Sequence, residues 1–303
     1  MPNIITNRFR FLFISLLVIL AGLVSLGVFG LKAGIDFSSG SLLTLSFEQA
    51  VEVNELKDEL GTLGYNNAIV QITGEDDFLI RTQELTTAEK TQIKNDLAEK
   101  FGTVTEKGFE NVDPVIASQT AQTAAIAVAV AALGILLYIT WAFRRMPKPF
   151  HYGSCAVIAL LYDALVSLGV FAVLGAIFGW EVNLMFIIGI LAVIGYSVNN
   201  TVIVFDRIRE NLLKADKPVL ETVVNQSLGE TMVRSLNTSL TTIIVILALL
   251  LFVGSTIQNF TIVMLAGVLA GIYSSLLVAP SILVIWENGE WRRLFKPLKK
   301  AGD

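Results

Sequence analysis

The side chains most able to do chemistry are ionisable or polar groups that lie in long apolar runs. Asp163 is near the middle of one such run, and Arg234 stands where another begins. Ionisable groups at such positions are costly and mark proton or ion pathways, commonly as pairs. Three further polar side chains accompany them. The predicted intramembrane polar site therefore consists of Asp163, Tyr196, Asn199, Asn200 and Arg234.

The spacing of these residues predicts how they meet. Tyr196 and Asn200 are four residues apart and share a helix face. Asn200 precedes Asp206 by six residues, which places it about 9 Å inside the helix end. Arg234 enters from the same side, so we expect it to meet Asn200 in the cytoplasmic half of the bundle. Two alternatives stay open: Arg234 reaching the lipid headgroups, and Asp163 acting only as a hydrogen-bonding group between helices.

The composition favours a membrane protein over a soluble one. Of 303 residues, 54% are hydrophobic and 16% are charged, and the mean hydropathy is +0.67; soluble domains carry about 25% charged residues. A lone histidine and a lone cysteine, His151 and Cys155, predict no metal site. The sequence has neither a phosphate-binding loop nor a dinucleotide fingerprint. No cofactor is therefore predicted, and we do not expect an enzyme.

Six apolar runs are long enough to cross a bilayer, which takes about 20 residues. They are Phe11–Leu31, Ser118–Phe143, His151–Phe178, Leu184–Val204, Ser235–Val253 and Phe260–Trp286. Basic residues predict the orientation, because they concentrate in cytoplasmic loops. They are Arg8, Arg10, Arg144, Arg145, Lys148, Arg207, Arg209, Lys214, Lys217, Arg292, Arg293, Lys296, Lys299 and Lys300. With six spans all of them fall on one side, so both termini are predicted to be cytoplasmic.

Residues 32–116 carry 16 acidic and 7 basic residues, and we expect this segment to be an extracytoplasmic domain. Its predicted strands are Ser41–Phe47, Ala68–Thr73, Phe78–Thr82 and Thr103–Phe109, and its predicted helices are Val53–Leu63 and Thr86–Phe101. A turn signal at Gly74–Asp77 separates the middle strands, and Thr87 with Lys90 replaces a full capping box. The order β-α-β-β-α-β predicts a ferredoxin-like α+β fold.

The predicted organisation therefore has four parts. Residues 1–31 hold the cytoplasmic N-terminus and the first span, 32–116 the outer domain, 117–286 a five-helix bundle, and 287–303 a basic cytoplasmic tail. Gly267 and Gly271 form a G-x-x-x-G pattern on the sixth span, which permits close helix packing within the chain or with a partner.

Two further segments carry charged or glycine-rich patterns. Gly34, Asp36, Phe37 and Gly40 follow the first span and predict a tight polar turn. The fourth span ends in a charged stretch that is typical of a cytoplasmic helix end. Its charged residues are Asp206, Arg207, Arg209 and Glu210.

Taken together, these segments resemble the SecF family of protein-export subunits. The glycine-rich turn at 34–40 is similar to the motif that follows that family's first span. The stretch from Gly195 to Val202, continued by Phe205–Asn211, is similar to its most distinctive motif, and Arg234 with residues 237–242 matches the start of its fifth span. The resemblance covers nearly the whole chain, including the number of spans and the position of the outer domain.

The resemblance implies a multi-pass protein of the bacterial inner membrane that promotes protein translocation with the proton-motive force. It implies a partner of related fold, SecD, action beside the SecYEG channel, and contact with YajC, SecA, membrane lipid and an unfolded translocating protein, but not nucleic acid. Family members resemble proton-driven exporters of the resistance-nodulation-division class. Two alternatives stay open: a free-standing exporter of small molecules and an uncoupled scaffold subunit.

Three residues depart from what the resemblance implies. Asn200 occupies the place of an aspartate, the family's proton carrier, which pairs with the arginine that Arg234 matches. Tyr162 precedes Asp163 where the family commonly has histidine, and Ser39 replaces one glycine of the D-F-x-G-G pattern. Because an amide cannot titrate, we expect a different carboxylate to balance Arg234, either Asp163 or one on SecD.

Overall fold

The computed structural model of the chain describes residues 4–72, 77–216, 218–252 and 257–290. Within these ranges six helical segments are long and apolar enough to cross a membrane: Ile5–Phe29, Pro114–Ala142, Pro149–Phe178, Leu184–Lys214, Leu220–Phe252 and Gln258–Glu287. The predicted turn at 74–76, Lys217, the loop residues 254–256 and the basic residues after position 290 lie outside the described residues.

The helices begin with α1 (Arg8–Phe29), which follows a single 3₁₀ turn at Ile5–Asn7. A short helix α2 (Ile35–Ser38) leads into the small domain. The remaining spans are α5 (Pro114–Ala142), α6 (Pro149–Phe178), α7 (Leu184–Lys214) and α8 (Leu220–Phe252). The sixth span consists of α9 (Gln258–Tyr273), a π-helical turn (Ser274–Val278) and α10 (Ala279–Glu287).

The fourth and fifth spans are longer than the apolar runs predicted. Helix α7 continues past Val204 to Lys214, and α8 begins at Leu220 rather than near Ser235. At about 1.5 Å per residue each exceeds the hydrocarbon thickness of about 30 Å. The extra turns pack on each other through polar groups: Asn211 donates to Ser227 at 2.9 Å, and Arg207 to Glu230 at 2.5 Å. Hydropathy alone misses such turns because they are helical without being apolar.

The small domain contains β1 (Gly40–Phe47), α3 (Val53–Thr62), β2 (Ile69–Ile72), β3 (Phe78–Thr82), α4 (Thr87–Phe101) and β4 (Val104–Val112). Its sheet has the order β2-β3-β1-β4, and every neighbouring pair is antiparallel. Alternate strand residues such as Leu43, Leu45 and Ile80 join Leu56 and Leu97 of the helices in one buried cluster. The opposite sheet face is turned toward the ends of the spans at the loop between α6 and α7, because Gln71 of β2 and Arg81 of β3 bond to that loop.

The start of α4 differs from the prediction. Thr86 is the N-cap, and its hydroxyl accepts from the Glu89 backbone N–H at 3.3 Å. The Glu89 carboxylate accepts in turn from the Thr86 backbone N–H at 2.8 Å. The helix therefore has a full capping box, one residue earlier than the predicted Thr87 and Lys90 pair.

Candidate functional site

Asp163 lies on α6 at the centre of the bundle and has no solvent exposure. Its Oδ2 accepts hydrogen bonds from the Ser197 hydroxyl on α7 and from the Ser274 hydroxyl, the latter at 2.9 Å. Its Oδ1 is buried and has no hydrogen-bond partner. Among the described residues no lysine, arginine or histidine forms an ion pair with it, so one carboxyl joins three helices while half of its bonding capacity is unused.

The sixth span approaches this carboxyl through Gly271. A Cβ at Gly271 would lie 3.3 Å from the Ser197 Oγ and 3.6 Å from the Asp163 Oδ2. One turn earlier, a Cβ at Gly267 would overlap the side chain of Val193. The structure therefore places both glycines of the G-x-x-x-G pattern against α7, within the chain. The π-helical turn begins at Ser274, directly after this close approach; such turns are frequent at functional sites.

A second buried polar cluster joins α7 to α8. Asn200 is fully buried, and its Nδ2 donates to the Ser239 Oγ at 3.2 Å, while its Oδ1 has no partner. The Tyr196 hydroxyl donates to the same Ser239 Oγ at 3.1 Å. The shared face predicted for Tyr196 and Asn200 therefore contacts the fifth span. One turn earlier on α8, the Ser235 Oγ is buried without a partner.

The predicted meeting of Asn200 with Arg234 is not seen among the described contacts, in which Asn200 bonds Ser239 instead. Ser235 and Ser239 occupy the inward face of α8, and Arg234 lies on the exposed face. Asn199 is likewise exposed, on the outer side of α7. The reason is helical geometry: a residue next to a buried position is rotated by about 100° away from it. The predicted polar site is thus divided into an inward set and an outward set.

The charged stretch at the end of α7 forms ion pairs. Arg209 contacts Asp206 at 2.6 Å on the same helix, and Arg207 bridges Glu210 and the Glu230 carboxylate of α8. Of the four residues predicted from sequence as a charged helix end, Arg207 therefore also holds α7 to α8, and the ion pairs of the other three lie within α7.

Two ion-pair clusters at the end of the bundle that holds the start of α1 were not predicted. Arg8 is 9% exposed, and its guanidinium contacts Glu290 at 2.6 Å and Glu221 at 2.9 Å. His151 Nδ1 lies 2.6 Å from the Glu287 Oε1. The other oxygen of the same carboxylate, Oε2, contacts the Lys148 Nζ. Basic residues at the membrane edge predict topology but say nothing of their partners, and these pairs join residues more than 130 positions apart.

The glycine-rich turn connects α1 to the loop that precedes α7. The Asp36 carboxylate accepts the Leu184 backbone N–H at 2.7 Å and so caps α7. Phe37 packs against the apolar cluster that contains Phe171 and Phe186. Gly40 has φ +114°, and Ser39 has φ +63° with ψ 174°, a region that only glycine adopts without strain.

Comparison with known proteins assigns this arrangement to a family. The family model described as "Protein export membrane protein SecD/SecF, C-terminal" matches residues 92–289, and the "SecD/SecF GG Motif" matches residues 24–51. Protein translocase subunit SecF of Thermobaculum terrenum is 41% identical over 98% of this chain and 97% of its own length. The chain belongs to the SecF family. SecF of Anaerolinea thermophila is similar to the same degree.

Longer fused relatives match as well. SecDF of Bacillus subtilis is 33% identical over 95% of this chain, which corresponds to 38% of that protein. The crystal structure of the translocon-associated SecDF from Thermus thermophilus has a TM-score of 0.84 at 29% identity and covers 94% of this chain. The chain spans 38% of that structure. The range matched by the SecD/SecF C-terminal model covers Asp163, Asn200 and Arg234. The range matched by the GG motif covers Asp36 and Ser39.

Proposed function

We propose that this chain is an auxiliary subunit of protein export that acts with SecD beside the SecYEG channel and draws on the proton-motive force. Full-length similarity to translocase subunits supports the export role. The observation that carries the energy coupling is Asp163, a buried carboxyl held by hydroxyl groups of α7 and of the π-helical turn. Translocating unfolded protein is the substrate, and YajC and SecA are further partners.

The basic loops support the proposed orientation. Lys148 follows the second span and Lys214 is the last residue of the fourth, whereas Lys57 and Lys90 lie in the small domain. Because basic loops favour the cytoplasmic side of a bacterial plasma membrane, this pattern supports a topology with both termini in the cytoplasm and the domain outside. Cysteines introduced at 57 and 90 should react with an impermeant thiol reagent added outside, and those at 148 and 214 should not. Labelling of position 148 from outside would overturn the orientation.

The domain division and the fold of the small domain are also proposed. The division is 1–31, 32–116, 117–286 and 287–303. A sheet of order β2-β3-β1-β4 with two helices on one face supports a ferredoxin-like fold. In this position it would meet the translocating chain as that chain leaves the membrane.

The outward polar set supports pairing with SecD. Arg234 and Asn237 are exposed on α8, and Asn199 is exposed on α7. A charged side chain facing lipid is costly, so a partner surface is the better environment for it. The fused SecDF relatives place both subunits in one chain. A carboxylate on SecD is the group we propose for balancing Arg234.

Asp163 is the proposed proton carrier of the inward set. Asn200 stays neutral at every accessible pH and can only donate or accept hydrogen bonds. A carboxyl can change charge. At this buried position the ionised form needs a cation close by, and without one the carboxyl binds a proton. Uptake and release of a proton at Oδ1 would weaken or strengthen the bonds from Ser197 and Ser274. Helix α7 and the sixth span would therefore respond to a change of charge at Asp163 on α6.

The test is gradient-dependent release of an exported protein from vesicles that contain this chain and SecD. We expect Asp163→Asn and Arg234→Met to lower release to about a tenth or less, Asn200→Ala to have a smaller effect, and Asn200→Asp to be tolerated. Ser167→Ala is the matched control, because Ser167 is buried one turn away and bonds only its own helix.

The outcomes separate the alternatives. Loss of release in Asn200→Ala with normal release in Asp163→Asn and Arg234→Met would overturn the assignment. Unchanged release in all variants would favour an uncoupled scaffold, for which the neutral Asn200 is the supporting observation. Gradient-driven transport of small molecules without SecD would favour a free-standing exporter.

A further inference from the structure

Arg81 of β3 connects the small domain to two outer loops of the membrane bundle. Its Nη1 donates to the Glu181 carboxylate at 2.6 Å and to the Ala33 carbonyl at 2.8 Å, and its Nη2 donates to the Ser38 hydroxyl. The Arg81 and Glu181 side chains are each 18% exposed. One guanidinium thus joins the sheet, the turn after α1 and the loop between α6 and α7.

The loop at 179–183 is also held by neighbours on either side of Glu181. Gln71 of β2 donates to the Gly179 carbonyl at 2.8 Å. The Gly34 N–H donates to the Val182 carbonyl at 2.8 Å, and the Val182 N–H donates to the Lys32 carbonyl at 2.7 Å. A Cβ at Gly34 would lie 2.9 Å from the Val182 oxygen, so this approach requires glycine. The loop is therefore fixed to the domain and to the end of the first span.

This loop is the connection between the two helices that meet at the proposed proton site. Helix α6 carries Asp163 and α7 carries Ser197, and the two side chains are hydrogen-bonded. Helix α7 begins at Leu184, whose N–H is capped by Asp36. Ser197 is thirteen positions after Leu184 in one continuous helix, a rigid length of about 20 Å. A shift of α7 at Ser197 is therefore carried to the loop.

Space for such a shift exists beside the contact. A cleft of about 470 Å³ lies between the open face of the sheet and the outer loops, and Arg81, Glu181, Lys107 and Trp180 are among its lining residues. The domain therefore does not pack continuously on the spans here. Point contacts at Arg81 and Gln71 cross the gap.

The geometry points to Arg81 as a positioning residue that couples movement of the small domain to the state of Asp163, through Glu181 and α7. This inference rests on the proposed function. Arginine is required because its planar group reaches Glu181, Ala33 and Ser38 at once, which a lysine ammonium on a flexible stem does not. Loss of the ion pair leaves the domain and the proton site intact but weakens the connection between them, which then depends on the bond from Gln71 and the contacts of Gly34.

The first experiment is a charge exchange in the vesicle release assay with SecD. We expect Arg81→Glu and Glu181→Arg each to lower gradient-dependent release about fivefold or more, and the double exchange to recover only part of that loss, because it restores the ion pair but not the bonds to Ala33 and Ser38. Release without a gradient and the amount of chain in the membrane should stay unchanged. Lys107→Glu, a charge reversal in the same cleft, is the matched control and should resemble the unmodified chain.

The outcomes are distinct. Equal release in the unmodified chain, the two single variants and the double exchange would overturn the inference. A double exchange that is no better than the single variants would also overturn it. Arg81→Lys should retain only part of the activity, since it keeps the charge but not the three contacts. Full activity of this variant would mean that the positive charge of Arg81 is sufficient, and would contradict the geometric argument.

A second experiment is independent of export. Spin labels at Lys57→Cys and Ile177→Cys, in a Cys155→Ala background, report the distance from the domain to the outer end of α6. We expect Asp163→Asn to shift this distance and Arg81→Glu to abolish the shift. If Asp163→Asn shifts the distance while release is normal, the proposed function fails and the coupling stands. If the shift persists in Arg81→Glu, the coupling through Arg81 is refuted.

Discussion

The small α+β domain and the centre of the helical bundle differ in their buried polar groups. Among the described residues, five side-chain atoms are buried without a hydrogen-bond partner, and all five are in the spans: they belong to Thr140, Asp163, Asn200, Ser235 and Ser281. In the domain, the buried Ser41 hydroxyl donates to Asn111 and accepts from the Leu85 N–H. Native proteins rarely leave such atoms unpaired, and those that remain mark water, ion or functional sites.

This difference teaches where stability and function lie in the chain. The domain is built for a unique fold, with an apolar core and satisfied polar groups. The bundle keeps polar atoms unsatisfied around Asp163 and Asn200 although each costs stability. A change that damages the domain should therefore act on folding, and a change near Asp163 should act on packing and activity.

The largest expected effect is on the domain core. Leu97 is fully buried between the helices and the sheet, so Leu97→Asp should destabilise the domain by about 4 kcal/mol or more, through loss of packing and burial of an unpaired charge. Limited proteolysis of the full chain in detergent should then cleave within 41–112 while the spans stay protected. Ile69→Asp, at a position 44% exposed on β2, is the control; equal cleavage in both variants would contradict a single packed core.

A smaller effect is expected where the sixth span meets the proton site. Gly271→Leu places a side chain against Ser197 and Asp163, and overpacking of this kind costs about 1–3 kcal/mol. The melting temperature of the chain in detergent and the yield of co-purified SecD should both fall. Gly134→Leu is the control because a Cβ at Gly134 meets nothing within 4 Å. Identical behaviour of the two variants would mean that the contact with α7 is unimportant.

The same contrast explains what the sequence could predict. Strand β3 was predicted at Phe78–Thr82, where it is found, because apolar alternation and turn signals are local. The six spans were predicted because their apolar length is also local. The split between Asn200, facing inward, and Arg234, facing outward, depends on how α7 and α8 are rotated against each other. Local sequence patterns predict neither this rotation nor the pairing of Arg81 with Glu181, which is 100 residues away.

The junction between the two regions should gain stability from one substitution. Ser39 has positive φ in a region that costs a non-glycine residue about 1–3 kcal/mol. Ser39→Gly should therefore raise the free energy of unfolding by about 1 kcal/mol, even after the extra entropy of glycine in the unfolded chain. Ser46→Gly, in the regular strand β1, should lower it by about 0.5–1 kcal/mol. Chemical denaturation of the full chain in detergent measures both, and the same sign for both would contradict the strain argument.

The smallest effect concerns a surface ion pair of the domain. Lys90 Nζ lies 2.7 Å from Glu106 Oε1, and Lys94 lies 3.6 Å from Oε2. The hydrogen bond from Lys90 lowers the pKa of Glu106, while partial desolvation opposes the shift. Because the folded pKa is below the unfolded value of about 4.3, the pair stabilises the domain above that pH. The contribution is lost as the pH falls through the lowered folded pKa.

Glu106→Gln should therefore cost at most about 1 kcal/mol at pH 7, as is usual for exposed pairs, and nothing once Glu106 is protonated. The measurement is hydrogen exchange of the α4 and β4 amides, expressed as the ratio of variant to unmodified chain at each pH, so that the intrinsic pH dependence of exchange cancels. Glu110→Gln, on the same strand and exposed, should give a ratio near one throughout. A Glu106→Gln ratio that stays constant from pH 7 to pH 2 would show that the ion pair is not what the substitution removes. A ratio that falls to one only at acid pH would show that this ionised surface pair contributes to the stability of the domain. The buried Asp163 carboxyl in the spans, by contrast, forms no ion pair among the described residues.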